Sequence, residues 1–297
     1  YYLRPYGIVG SGAILYAREG TGKGYLLQIM AVCIVHGVST YWPVTRGDVC
    51  YINLERDRAS LVRREYYIRR ALGLSSHSQV KYLHARGHSL RAVQKTLRAY
   101  VHEHPAAILF LDSISRSDMG GSLVDDDTAN NWTNLMNSLC RTWFAVGHTS
   151  KANSEELFGS VHFAAGADLT IKLSSESRNN SIGLCLEVPK ANDIAKPANR
   201  YYALDFSEPD LNGDSHLVGF RQADAKEFPE LNASTGTIMQ RLKDYIEEQG
   251  QANASEAAIY LRKSHQYIQQ LLQQPDYERL TQKGKQGQVY YQLRERL

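Results

Sequence analysis

An apolar run, Ala13-Ile14-Leu15-Tyr16, leads into a glycine-rich turn, Glu19-Gly20-Thr21-Gly22-Lys23-Gly24. A stretch with helical apolar spacing follows from Tyr25 to about His36, carried by Leu26, Leu27, Met30, Val32 and Cys33. No other feature constrains the fold as strongly. A strand that turns through glycines into a helix aims several backbone N–H groups at one point, and the helix N-terminus adds its dipole there. Gly20 and Gly22 let a ligand approach the backbone without a Cβ in the way. Lys23 supplies a countercharge, so Glu19, Gly20, Thr21, Gly22, Lys23, Gly24 and Tyr25 form a candidate phosphate cradle.

The general form of such a loop is Gly-x-x-x-x-Gly-Lys-Ser/Thr. Here Ala17 stands at the first glycine and Gly24 at the hydroxyl residue. The first change is mild. The second removes the side chain that ordinarily helps to hold Mg²⁺. Binding through Lys23 and the backbone survives this, whereas metal placement and hydrolysis rate come into question. Thr21 is the nearest remaining hydroxyl.

Strand-like and helix-like runs alternate through the first two-thirds of the chain. Strands are expected at 49–54, 106–111, 142–147, 168–173 and 182–188, and helices at 58–72, 89–102 and 126–139. This alternation predicts an α/β domain with a mostly parallel sheet. Three polar residues then fall at strand ends, where α/β domains bind ligands. Asp112 follows Ile108-Leu109-Phe110-Leu111 and is the candidate Mg²⁺ ligand. Glu55 ends the strand at 49–54 and is the candidate water-activating carboxylate, or else pairs with Arg56 and Arg58. His148 ends the strand at 142–147, where it can sense a terminal phosphate.

With 43% hydrophobic and 22% charged residues among 297, the chain is globular rather than disordered. The net charge of +3 says little about partners, but 11 Lys/Arg stand against 3 Asp/Glu between Arg56 and His104. That block either faces phosphates or is a solvated pair of helices. Cys33, Cys50, Cys140 and Cys185 lie in apolar stretches without a paired spacing, so they read as buried thiols in a reducing compartment. No apolar run approaches the ~20 residues that span a membrane. No signal peptide is visible, and a cytoplasmic location is expected. The chain starts at Tyr1 rather than Met, so an upstream segment is expected.

Composition shifts near Phe206, and the domain organisation reads as 1–225, a linker at 226–236, and a second domain at 237–297. Ile238, Leu242, Tyr245 and Ile246 form a helical stripe, Ser255 and Ser264 are helix caps, and Val289–Leu293 reads as a strand. Three helices and a basic hairpin in ~60 residues predict a winged helix-turn-helix. Its recognition helix would offer His265, Gln266 and Gln269 to DNA, and its wing Lys283 and Lys285. With 9 Lys/Arg against 7 Asp/Glu, this domain is only weakly basic.

On these residues the chain resembles the RecA-like P-loop ATPases over about 6–206, and among them the hexameric helicase branch that includes plasmid RepA and DnaB. The resemblance implies ATP and Mg²⁺ as ligands, and Lys23, Glu55, Asp112 and His148 in the roles given above. It also implies that 158–168, with Ser160 and His162, faces single-stranded DNA in a ring channel. Lys190 would reach a neighbouring subunit's site, with Lys196 or Arg200 as alternatives, because Asn192 stands where DnaB-type helicases carry arginine. A hexameric ring and a replicative helicase or loader of a plasmid, phage or mobile element follow as expectations. The alternative, raised by Gly24, is a hydrolysis-impaired ATP-dependent DNA-binding switch or recombination mediator. A small-molecule kinase would need an arginine-bearing lid, and none is visible.

Overall fold

β1 (Gly12–Ala17) is buried along its whole length, and its residues divide by parity. Ala13, Leu15 and Ala17 face one apolar core, and Ile14 and Tyr16 face the other. β4 (Ile108–Asp112) divides in the same way, with Ile108 and Phe110 on the first side and Leu109 and Leu111 on the second. Strands covered on both faces must be apolar at every position, which is why these runs lack polar alternation. The first core is closed by α1 (Lys23–His36) and α2 (Arg58–Ala71), and the second by α3 (Leu90–Glu103) and α4 (Asp126–Leu139).

The computed structural model describes residues 1–75, 77–149, 156–231, 238–261, 263–279 and 289–294. Two units separate by internal contacts, Tyr1–Leu231 and Asn232–Leu297. In the first, the other strands are β2 (Val49–Asn53), β3 (Lys81–His84), β5 (Thr142–His148), β6 (Leu169–Arg178), β7 (Ser181–Ala191), β8 (Arg200–Phe206) and β9 (Leu217–Gln222). A short helix, α5 (Val161–Gly166), precedes β6. Among the described residues these strands form one nine-stranded sheet in the order β3-β2-β4-β5-β1-β6-β7-β8-β9. Pairing is parallel from β3 to β6 and antiparallel from β6 to β9. The four cysteines are free and buried. Among the described residues no helix is long and apolar enough to cross a membrane.

Three strands go beyond the sequence expectation. β3 is a half-exposed edge strand of four residues, β8 follows a loop, and β9 follows a turn-rich stretch. The packed unit also runs past 225, because Phe228 and Leu231 bury themselves against Cys185 and Ala203.

The second unit contains α6 (Ile238–Gln249), β10 (Ala252–Asn253), α7 (Ala254–Leu261), α8 (His265–Leu272), β11 (Tyr277–Arg279) and β12 (Tyr290–Leu293). Its strands form a small antiparallel sheet in the order β10-β12-β11. Leu242, Ile246, Leu261, Ile268 and Leu272 form its own core. Ser264 caps α8 as expected, accepting from the Tyr267 N–H at 3.3 Å. Ser255 does not cap α7. The helix starts earlier, and Asn253 accepts from the Glu256 N–H at 2.9 Å.

The register of β1 against β5 depends on Gly12, where an added Cβ would lie 2.1 Å from Trp143 Cζ2. Gly12→Ala is expected to cost about 3 kcal/mol through overpacking, measured by urea unfolding. A change under about 0.5 kcal/mol, the range of ordinary surface substitutions, would contradict this packing.

Candidate functional site

Parallel registration brings the polar strand ends together. Asn53 pairs with Asp112, and Ala17 with His148. The turn after β1, Glu55 just past β2, Asp112 at the end of β4 and His148 at the end of β5 therefore share one edge of the sheet. The sequence-expected group of Lys23, Glu55, Asp112 and His148 is thus brought together.

Gly20 and Gly22 adopt φ of 77° and 85°, a conformation that suits glycine. Gly22 is the N-cap of α1, and no side chain caps that helix. Its first-turn N–H groups lack a side-chain acceptor, which is the requirement for anion binding at a helix start. Lys23 is buried, and its ammonium donates to the carbonyl oxygens of Ala17 (2.9 Å) and Arg18. Burial lowers its pKa to about 8, while Glu55, Asp112 and Glu19 pull the other way. The Thr21 hydroxyl donates to the Arg18 carbonyl at 2.8 Å, so it braces the turn.

The two carboxylates differ sharply. His148, whose Nε2 stands 4.0 Å from Glu55 Oε1, and the Ser113 hydroxyl, which donates to that oxygen, hold Glu55 down at about 2 against the effect of burial. Glu55 is an anion throughout the working pH range and a weak base. It suits orienting a water better than deprotonating one. Asp112 is raised instead, first by burial and then by repulsion from Glu55. Its Oδ2 accepts from the Tyr51 hydroxyl at 3.0 Å.

Gly24 opens a space that Arg64 fills. A Cβ on Gly24 would lie 2.9 Å from Arg64 Nη1 and 3.4 Å from Asp112 Oδ2. Arg64 comes from α2, and its guanidinium lies over the Tyr25 ring at 4.0 Å. A guanidinium thus crowds the point where the Cβ of a serine or threonine at this position would lie. Asp112 remains, Thr21 is engaged elsewhere, and no cluster of three His, Cys, Asp or Glu among the described residues is placed to hold a metal. This donor set does not fit a magnesium ion held in the manner the sequence pattern suggests.

Beyond Glu55 lies a cleft of about 480 Å³ lined by Leu54, Glu55, Arg86, His88, Ser115 and Arg116. Sequence reasoning missed Arg64, Tyr51, Ser113 and Arg116. The excess of cations between 56 and 104 was the one available signal. It did not separate the buried Arg64 from exposed neighbours such as Arg63 and Arg70.

Other expected residues have local partners. Lys190 donates to the carbonyls of Ala164 (2.8 Å), Ala165 (2.9 Å) and Ala167 (2.7 Å), at the C-terminal end of α5. Its donors are engaged within its own chain. Ser160 is buried, caps α5, and donates to Asp126 at 2.6 Å. His162 Nε2 lies 3.6 Å from the same carboxylate. Both face Asp126, which is unfavourable for contact with a polyanion. His265, Gln266 and Gln269 are exposed on α8. Lys283 and Lys285 lie outside the described residues.

A family model described as an AAA domain matches residues 3–154. No curated protein matches. Among solved structures, the KaiC-like protein PH0186 from the hyperthermophilic archaeon Pyrococcus horikoshii OT3 superposes with a TM-score of 0.51 at 12% identity. The match covers 75% of this chain and 94% of that one. At this identity the likeness concerns the fold.

Lys190→Met is expected to lower stability by about 1–2 kcal/mol by leaving carbonyls unsatisfied, measured by denaturant unfolding. Unchanged stability together with lost nucleotide turnover would instead place Lys190 in a neighbour's site.

Proposed function

Because the chain belongs to the AAA domain family and carries a RecA-like P-loop ATPase fold, we propose that it binds ATP at this sheet edge and uses it to control attachment to DNA. The observation that carries the reading is the meeting of an uncapped helix start and the buried Lys23 with Glu55, Asp112 and His148. The turn and Lys23 take the phosphates, with Lys23 leaving the Ala17 and Arg18 carbonyls for phosphate oxygens. Glu55 orients the attacking water, and His148 links that carboxylate to the end of β5. In the family Mg²⁺ ordinarily neutralises phosphate charge. Here Gly24 and Arg64 stand where the loop pattern would present a hydroxyl to that ion, so the phosphates are met by Lys23 and the turn.

DNA contact rests on the second unit. Its helices and three-stranded antiparallel sheet support a winged-helix reading, with α8 as the helix that enters a groove. The exposed His265, Gln266 and Gln269 are its reading residues, and Lys283 and Lys285 its backbone contacts. A replicative helicase or loader of the RepA or DnaB kind is one form of this function. The other is a slowly hydrolysing DNA-binding switch or recombination mediator. Gly24 favours the switch. A hexameric ring on single-stranded DNA belongs to the motor form, with Lys190, or else Lys196 or Arg200, as the cation reaching the neighbour.

ATP turnover with and without single-stranded DNA tests this, with Lys23→Ala and Glu55→Gln alongside. Slow turnover that both changes abolish supports the switch. Fast turnover stimulated by DNA, with strand displacement, supports the motor. Failure to bind ATP overturns both forms.

A pH dependence follows from Lys23. Its folded pKa is about 8, below the usual 10.5, so the free protein loses this charge as pH rises through 8. ATP affinity is expected to fall between about pH 7 and 9, with proton uptake on binding at the upper end. Calorimetry in buffers of different ionisation enthalpy detects the proton, and its absence would contradict the role of Lys23.

A further inference from the structure

The position that departs most from the loop pattern, Gly24, and the buried cation that faces it, Arg64, are parts of one arrangement. Arg64 is 9% exposed, and its Nη1 has no hydrogen-bond partner among the described residues. A buried, charged donor without an acceptor is costly and rare in native proteins. The cost is tolerated where a ligand supplies the missing acceptor. Arg64 is also held in place: its guanidinium stacks over Tyr25, the residue that follows Gly24 in the first turn of α1. Nη1 and Asp112 Oδ2 approach the same point, the position a Cβ on Gly24 would take. Neither a serine nor a threonine fits there unless the guanidinium moves.

We propose that the Arg64 guanidinium takes the place of the divalent cation, so that this site binds a nucleoside triphosphate in its metal-free form. The inference rests on the ATP reading above and specifies the form of ligand the site accepts. The phosphates gain two protein cations, Lys23 and Arg64, and the uncapped N–H groups of α1. Guanidinium N–H groups suit phosphate oxygens, and charge-assisted bonds to them are among the stronger hydrogen bonds. Asp112, with Tyr51 on its Oδ2, steers the guanidinium instead of a metal. Gly24 is then the residue that makes room for a tethered cation. A single positive charge withdraws less electron density from the phosphates than Mg²⁺ does, in keeping with slow turnover.

Equilibrium dialysis of radiolabelled ATP against the full chain, in EDTA and in Mg²⁺, tests the proposal. The dissociation constant in EDTA is expected within about threefold of that in Mg²⁺. Arg64→Gln is expected to weaken binding in EDTA by about tenfold, the equivalent of one lost charge-assisted bond. Gly24→Ser with Arg64→Gln is expected to bind only when Mg²⁺ is present. The wild-type comparison needs no variant, so it stands even if Arg64→Gln fails to fold. Wild-type binding that requires Mg²⁺ overturns the proposal and leaves the ATP reading intact. Binding in neither condition overturns both.

Discussion

A lysine buried at the start of an apolar helix is the constraint around which the rest is arranged. α1 is buried along nearly all its length, so its charged first residue sits at the rim of the core rather than in water. Desolvating an ammonium is costly, and the drop of Lys23 to about 8 expresses that cost. Below that pH the charge is carried in the folded state at the expense of stability. The expense fades as pH rises toward 10.5. Two backbone carbonyls ease it without removing it. Phosphate is the partner that would offset it fully, and the glycine turn leaves room for one.

The same edge separates two carboxylates by their surroundings. Glu55 is stabilised as an anion by His148 and Ser113, and Asp112 is pushed the other way by burial and by Glu55 itself. Pairs driven apart in this way take different tasks. Glu55 is suited to holding a water in line. The Oδ2 of Asp112 and the Nη1 of Arg64 converge on the point where a Cβ on Gly24 would lie. Lys190, by contrast, is engaged at the end of α5.

Much of this was legible in the chain. Ile108–Leu111 announces a central strand because both of its faces are covered, and Asp112 announces the edge because it ends that run. The turn from Glu19 to Gly24 marks the candidate cradle because Gly20 and Gly22 take the positive φ that side chains disfavour. β3 and β9 were not legible: one is a short, half-exposed edge strand, and the other places its buried residues, Leu217 and Phe220, three apart beside a turn, without the alternation that marks a strand. Arg64 was hidden for a different reason. It lies forty positions from Gly24, inside a run of arginines that mostly face water, and only tertiary packing distinguishes it. Lys190 had the right neighbourhood in sequence, but the carbonyls that bind it come from a helix some twenty-five residues earlier.

The most direct test is a crystal structure of the chain with ATP. The account predicts phosphates on the first turn of α1, with Lys23 Nζ moved from the Ala17 and Arg18 carbonyls onto phosphate oxygen and Arg64 Nη1 at hydrogen-bond distance from another. ATP bound elsewhere, or Lys23 still on those carbonyls beside a bound nucleotide, would contradict it.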